Sequence, residues 1–214
     1  MNDNKIIKYN DGMLKRGLFP IEPNILYNNL LMTNEGLYSI THAHYAEQIT
    51  NFIIESLGNN KKSKDLIITD ATANVGGNTL NFSKHFKHVN AIELSKINCH
   101  VLKNNVIKVY NRENVNIICS DFLDVINNLE QDIIFMDPPW GGPDYKKKEN
   151  LILQLSNINI SNIMDNIFKN KNASMVVIKV PSNIDFNEII KTIYFKKFEF
   201  FKIKNYGLII IKNL

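Results

Sequence analysis

The side chains with the clearest chemical potential lie in the run Asp137-Pro138-Pro139-Trp140, which continues as Gly-Gly-Pro-Asp-Tyr. It follows residues 132–136, a short apolar run that predicts a buried strand. Because proline has no N–H to donate to a ladder, the chain must leave the sheet at Asp137. A carboxylate, backbone carbonyls and a large ring then lie at one strand end. This set suits a flat ligand with an exocyclic amino group, whose hydrogens Asp137 and the Pro138 carbonyl accept while Trp140 covers its ring.

A second segment with possible chemistry, residues 70–79, comes straight after another predicted strand and opens a helix. Gly76 and Gly77 allow the backbone to approach a ligand closely. The backbone N–H groups at the helix start can donate hydrogen bonds to an anionic group. The spacing does not give Gly-x-Gly-x-x-Gly, so the dinucleotide fingerprint is absent. Taken alone, the segment fits an ordinary turn equally well.

Four acidic residues, Asp70, Glu93, Asp121 and Asp137, each follow a successive predicted strand. Glu93 lies where an acid can hold ribose hydroxyls. Asp121 can accept a hydrogen bond from an adenine amino group while Phe122 packs against the base, or it can simply cap a helix. Since ligands of open α/β sheets bind at the carboxyl ends of the strands, the set predicts an adenosine-bearing cofactor beside one acceptor site.

Short apolar runs alternate with helical patterns from residue 66 onward, which predicts a parallel sheet covered by helices. The strands are predicted at 66–69, 88–92, 116–119, 132–136, 174–180, 198–203 and 208–211. The last two are too closely spaced for a crossover and predict an antiparallel hairpin. Helices are predicted at 45–57, 78–86, 95–110, 122–129, 159–169 and 186–192, with Thr41, Ser95 and Asp121 as caps. We expect an N-terminal arm and helix in residues 1–64 and a catalytic domain in residues 65–214.

Composition indicates a globular protein of 214 residues with 44% apolar residues and a net charge of +4, which favours an anionic partner only weakly. No apolar run approaches the length of a membrane span, and the polar N-terminus lacks a secretion signal. We therefore expect an intracellular protein, nuclear or cytoplasmic, and a monomer. The sequence predicts neither a disulfide between Cys99 and Cys119 nor a metal site.

These motifs resemble trimethylguanosine synthase, the RNA cap guanine-N2 methyltransferase family. The most specific element is Pro-Pro-Trp-Gly-Gly-Pro at residues 138–143, and the run from Asp70 to Thr79 matches as well. Further matching stretches are residues 34–41, 91–93, 120–123 and 181–185. The resemblance covers the chain from about Lys15 to its end.

The resemblance implies a class I, Rossmann-like methyltransferase fold, with a seven-stranded, mostly parallel sheet, a C-terminal antiparallel hairpin and a small N-terminal helical arm. It implies S-adenosylmethionine as methyl donor, S-adenosylhomocysteine as product, and the 7-methylguanosine cap of an RNA as acceptor. The catalytic residues would be Asp137, Pro138 and Trp140. The cofactor-binding residues would be Asp70, Ala71, Thr72, Ala73, Asn74, Gly76, Gly77, Asn78, Thr79, Glu93, Asp121, Phe122 and Asp137. The substrate-binding residues would be Trp140, Pro138, Tyr38, Lys179, Ser182 and Asn183.

Three positions depart from the family pattern. Asn74 replaces a usual glycine, which asparagine tolerates because it adopts left-handed conformations. Thr41-His42-Ala43 replaces Thr-Pro-Glu, and Ser182 stands where the family has a basic residue for the cap phosphates, so Lys179 is the substitute candidate. Two other functions remain open: another exocyclic-amine methyltransferase, acting on ribosomal RNA guanine N2 or on adenine N6, and a non-catalytic cap-binding module.

Overall fold

The computed structural model describes residues 4–59, 61–147, 149–190 and 197–213, and the chain divides into two compact units. The first unit is Met1–Val125 and the second is Ile126–Leu214. The first unit therefore contains the predicted arm together with the first strands of the predicted catalytic domain. The division into an N-terminal arm and helix, residues 1–64, that packs on a catalytic domain, residues 65–214, stays a prediction.

The first unit carries a short antiparallel strand pair and three parallel strands. Its elements are β1 (Ile6–Lys8), α1 (Asp11–Lys15), β2 (Leu31–Thr33), α2 (Gly36–Ser39), α3 (Ala43–Leu57), β3 (Ile67–Asp70), α4 (Gly77–His85), β4 (His88–Ile92), α5 (Lys96–Leu102), β5 (Val115–Ile118) and α6 (Phe122–Val125). Strands β3, β4 and β5 pair in parallel in that order. The predicted helix 95–110 is α5 followed by a π-helix, Lys103–Val109.

The second unit carries four longer strands and a small hairpin. Its elements are β6 (Ile133–Met136), β7 (Gln154–Leu155), β8 (Ile158–Asn159), α7 (Ile160–Lys169), β9 (Met175–Pro181), α8 (Phe186–Ile190), β10 (Lys197–Ile203) and β11 (Tyr206–Lys212). β9 is buried along its whole length because it pairs on both sides, in parallel with β6 and antiparallel with β11. β10 pairs antiparallel with β11, which confirms the predicted hairpin.

The predicted fold class is confirmed. The strands β3, β4, β5, β6, β9, β10 and β11 belong to one seven-stranded sheet, mostly parallel with an antiparallel hairpin. Each lies within about two residues of its predicted position, because buried strands produce strong apolar runs. Of the predicted helix 186–192, residues 191 and 192 lie outside the described part of the chain. Across the described ranges, no helix combines the length and hydropathy required to cross a membrane.

Two local predictions were wrong. The N-cap of α3 is His42, which makes no side-chain capping hydrogen bond, and Thr41 Oγ1 instead accepts a hydrogen bond from Asn78 Nδ2 at 3.3 Å. Cys99 and Cys119 form a disulfide, with Cα atoms 5.7 Å apart. Their 20-residue separation conceals this proximity, since α5 folds back onto the end of β5.

Candidate active site

In the first unit, Glu93 directly follows β4 and is held at that strand end by backbone amides. Its Oε2 accepts from Asn74 N at 2.8 Å and its Oε1 from Ser95 N at 2.7 Å. Burial raises the pKa of the Glu93 carboxyl, and these hydrogen bonds oppose the rise. Each carboxylate oxygen can accept a further hydrogen bond. Glu93 is therefore both fixed and still able to accept hydrogens from hydroxyl groups.

Asp70, at the end of β3, is fully buried and acts on α4. Its Oδ2 accepts a hydrogen bond from Thr79 Oγ1 at 2.7 Å, which ties the first turn of that helix to the strand end. Neighbouring Ala71 and Ala73 are also buried, and Thr72 is half-buried. The carboxylate of Asp70 thus shapes the loop from inside the unit.

The two glycines of this loop allow close approach by the protein's own groups. Gly76 has φ +106°, and a Cβ there would lie 2.9 Å from Val106 Cγ2. A Cβ on Gly77 would lie 2.7 Å from the carbonyl oxygen of Thr41. On the side where a Cβ would lie, Gly76 packs against the π-helix and Gly77 against the segment before α3. Close approach of a ligand to these glycines stays a prediction.

Replacing Gly77 with alanine should destabilise the protein, because a backbone oxygen cannot move aside as a flexible side chain can. We expect the free energy of unfolding to fall by about 1–3 kcal/mol, as for overpacking elsewhere. Gly12→Ala is the control, since its added Cβ meets only the Asn10 side chain, at 3.2 Å. Chemical denaturation of both variants measures the difference. Equal stability of the two would contradict the packing role.

Asn74 confirms the expectation that asparagine replaces glycine in a left-handed position, with φ +50°. Besides its bond to Glu93, its Nδ2 donates to Ser39 Oγ at 2.9 Å. The N-terminal segment therefore contacts the loop after β3 directly. Asn78, in the first turn of α4, is buried, and its Oδ1 has no hydrogen-bond partner within the described residues. An orphaned buried acceptor of this kind fits a ligand that donates a hydrogen bond.

Asp121 takes the capping role that the sequence left open. Its Oδ1 accepts from Leu123 N at 2.9 Å, at the start of α6. Phe122 is 2% exposed, so almost none of its ring is open to solvent. Contact of Asp121 and Phe122 with an adenine stays a prediction. So does the expectation that all four strand-end acids line one crevice.

Glu93→Gln should weaken S-adenosylmethionine binding by an order of magnitude or more, because an amide supplies one acceptor oxygen where two are used. Calorimetric titration with S-adenosylmethionine measures this, with Glu113→Gln, an exposed position, as control. Since the pKa of Glu93 is raised, acidification should weaken binding by the wild type at a higher pH than an exposed glutamate would dictate. If neither the substitution nor acidification changes the affinity for S-adenosylmethionine, the predicted role of Glu93 in donor binding is wrong.

In the second unit, Asp137 and Lys179 form a buried ion pair. The register of β6 against β9, Met136 opposite Ile178, sets the two residues side by side. Lys179 Nζ lies 2.7 Å from Asp137 Oδ2, and Lys179 is only 6% exposed. Burial raises the pKa of the Asp137 carboxyl, and the Lys179 ammonium opposes that rise. The carboxylate is thus held by a fixed cation.

Trp140 completes an aromatic cluster around the same ammonium. Its ring centroid lies 5.1 Å from that of Tyr145 and 6.3 Å from that of Tyr206. Lys179 Nζ lies 5.3 Å from the Trp140 centroid and 4.8 Å from the Tyr206 centroid. The Trp140 Nε1 is buried, with no hydrogen-bond partner in the described part of the chain. We call Asp137, Trp140 and Tyr206, which contact the Lys179 ammonium, the aromatic box.

Sequence reasoning missed Tyr145 and Tyr206. Tyr145 ends the motif run that begins at Asp137, so its place in that run was an available signal. Tyr206 lies between the predicted strands 198–203 and 208–211, so the sequence placed it only in the turn of the hairpin. Its approach to Trp140 depends on the antiparallel register of β11 on β9, where Tyr206 lies opposite Pro181. No local pattern reveals that register.

The remaining predicted substrate residues take different roles. Pro138 is buried, and Ser182 is exposed at the end of β9. Asn183 Nδ2 donates to the Tyr145 carbonyl at 2.9 Å, so it orients the segment that carries Tyr145. Tyr38 lies in α2 of the first unit and is 72% exposed. Substrate contact by these residues stays a prediction.

A family model for RNA cap guanine-N2 methyltransferases matches residues 65–208. The chain belongs to this family. The predicted resemblance is thereby confirmed, and the protein is an S-adenosylmethionine-dependent cap guanine-N2 methyltransferase. Within the described residues, no group of three or more His, Cys, Asp or Glu side chains is arranged to hold a metal ion.

Relatives of this cap methyltransferase extend over most of the chain. An uncharacterized protein of Acanthamoeba polyphaga mimivirus is 34% identical over 220 residues, which cover 94% of this chain and 86% of that protein. The trimethylguanosine synthase of Schizosaccharomyces pombe is 28% identical over 212 residues, covering 88% and 84%.

The fold is shared with solved methyltransferases. The precorrin-6y C5,15-methyltransferase of Geobacter metallireducens GS-15 has a TM-score of 0.60 and 11% identity, covering 92% of this chain and 99% of that one. At that identity the likeness shows the fold alone, which is the class I methyltransferase fold predicted for this cap methyltransferase.

Proposed function

We propose that this enzyme transfers methyl groups from S-adenosylmethionine to the exocyclic N2 amine of a 7-methylguanosine RNA cap. The products would be 2,7-dimethylguanosine and, after a second transfer, 2,2,7-trimethylguanosine caps. The observation that carries the proposal is the aromatic box: a carboxylate for an amino group lies beside two rings that already surround a positive charge. A guanine methylated at N7 presents that combination of amine and positive charge.

The donor-binding residues are proposed to be those of the first unit. Glu93 would accept hydrogen bonds from the ribose hydroxyls of S-adenosylmethionine. The loop from Asp70 to Thr79 would hold the methionine part of the same molecule. The buried Oδ1 of Asn78, which has no hydrogen-bond partner among the residues that the structure describes, supports this assignment, since it suits an ammonium or hydroxyl donor. When bound, S-adenosylmethionine supplies the electrophilic methyl group.

The protein's part in the chemistry is alignment and charge stabilisation. Asp137 and the Pro138 carbonyl would accept the amino hydrogens and so fix the orientation of the amine, which is where most of the barrier reduction is expected. Positive charge develops on the amine during transfer, and the Asp137 carboxylate stabilises it. Asp137 or water then takes the proton that the methylated amine releases, so no other base is needed.

Trp140 supplies selectivity for the N7-methylated base. Stacking of a cationic ring on indole adds a cation–π contribution of about 1–2 kcal/mol over stacking of a neutral ring. By the relation of free energy to affinity, this corresponds to roughly a five- to thirtyfold preference. Unmethylated guanine would lose that contribution.

The direct test is incubation with labelled S-adenosylmethionine and either m7GTP or GTP. We expect label in m7GTP and little in GTP, and mass spectrometry over time counts one or two transfers. Equal labelling of both nucleotides would point to another exocyclic-amine methyltransferase. No labelling, together with binding of m7GTP, would point to a cap-binding module.

Capped RNA is the proposed partner, and the intracellular, monomeric state expected from the sequence is part of the same proposal. A cap-binding enzyme that works alone needs no second copy at its site. Size-exclusion chromatography with light scattering measures the mass. A stable dimer would show that the expected monomeric state is wrong without affecting the reaction.

A further inference from the structure

Lys179 is an unexpected residue in the aromatic box. It occupies the middle of β9, where every other residue of the strand is apolar, and is almost fully buried. The sequence suggested that it grips the cap phosphates. Its ammonium instead contacts Asp137 at 2.7 Å and lies against the rings of Trp140 and Tyr206.

The ammonium therefore contacts the same carboxylate and rings that the proposed function assigns to the methylated base. A carboxylate and two aromatic rings are the recognition elements for a bulky organic cation. In this structure the same elements surround the cation of the protein's own lysine. Two positive charges on the same rings in a partly buried site repel each other, so the ammonium and the charged base compete for the rings.

We propose that Lys179 is an internal cation that fills the aromatic box until an N7-methylated guanine displaces its ammonium from Trp140 and Tyr206. This inference rests on the proposed function, because it takes Trp140 as the surface on which the base stacks. Lys179 keeps the box closed and its carboxylate compensated when no cap is bound. Displacement reduces the apparent affinity for the cap, since part of the binding free energy is used to open the site.

The proposal distinguishes Lys179 from a phosphate ligand. If Lys179 binds the cap phosphates, its removal weakens binding of m7GTP. Binding of 7-methylguanosine stays unchanged, because that nucleoside has no phosphate. Removal of an internal competitor strengthens binding of both m7GTP and 7-methylguanosine. The uncompensated Asp137 carboxylate then also attracts the cationic base, so the gain should be larger for 7-methylguanosine than for guanosine.

Trp140 is the only tryptophan of the chain, so its fluorescence reports directly on the box. We expect Lys179→Met to change the emission of the free protein and to bind 7-methylguanosine and m7GTP about five- to tenfold more tightly than the wild type. Lys212→Met is the matched control. Lys212 is 3% exposed and ion-pairs with Glu199 at 3.4 Å, at the opposite end of β11 from Tyr206, and its removal should leave both affinities unchanged.

Lys179→Gln is a second variant, with the same expected direction, in case Lys179→Met does not fold. A measurement on the wild type needs no variant: trace acetylation of amines, quantified on the peptide that contains Lys179. We expect acetylation of Lys179 to increase when 7-methylguanosine is added, because the displaced ammonium becomes accessible.

Weaker binding of m7GTP with unchanged binding of 7-methylguanosine in the variants would overturn the proposal and make Lys179 a phosphate ligand. Unchanged affinities for both, or acetylation of Lys179 that does not rise, would overturn it as well. If the wild type binds neither ligand in preference to its unmethylated counterpart, the proposed function fails instead. The two failures are therefore distinguishable.

Discussion

Trp140→Ala should reduce kcat/KM for methylation of m7GTP by roughly ten- to three-hundredfold. The substitution removes a cation–π contribution of about 1–2 kcal/mol. It also removes ring packing worth roughly 0.5–1.5 kcal/mol beyond area burial. Because about 1.4 kcal/mol corresponds to a factor of ten, these losses together amount to about one to two and a half orders of magnitude. Steady-state assays with m7GTP measure the loss.

Two controls show whether the loss comes from stacking. Trp140→Phe keeps a ring with a weaker π face and should give intermediate kcat/KM values. Binding of S-adenosylmethionine, measured by calorimetry on Trp140→Ala, should remain, which would demonstrate that the proposed donor-binding loop of the first unit is intact. Full activity of Trp140→Ala on m7GTP would mean that the stacking model is wrong.

Asp137→Asn should reduce kcat by about a hundred- to a thousandfold, the loss that follows removal of one preorganised group from a transition state. It should affect KM for m7GTP less, because the carboxylate is most useful when positive charge develops on the amine. Burial raises the pKa of Asp137, so wild-type kcat should fall on acidification at a pH above that expected for an ordinary aspartate. That acid limb should be absent from the residual activity of Asp137→Asn.

The same substitution leaves the Lys179 ammonium buried without its carboxylate, which costs about 3–5 kcal/mol of stability for a buried pair broken on one side. The double variant Asp137→Asn, Lys179→Met removes both charges and should recover most of that stability without recovering activity. Thermal melting combined with methylation assays separates the two effects. Recovered activity in the double variant would mean that Asp137 acts through stability and not on the amine.

Local sequence pattern predicted the parts of this fold that depend on burial and on chain direction. Buried strands form at residues 133–136 and 175–181. Their apolar runs are unfavourable in water and are too short and too continuous for the period of an amphipathic helix. The end of β6 was predictable from Pro138 and Pro139, which cannot continue a ladder. Glu93 and Asp137 could therefore be assigned to strand ends from sequence alone, and Ser95 to its helix cap.

Tertiary structure decided which side chains meet. Register places Lys179 beside Asp137 and brings Tyr206 to Trp140, and register is set by pairing between strands far apart in sequence. The disulfide between Cys99 and Cys119 and the packing of Gly77 against Thr41 have the same origin. The motif at residues 137–140 is enough to show that a carboxylate and an indole follow one strand together. Only the tertiary structure showed that they surround a buried ammonium, because that contact requires three strands to be aligned.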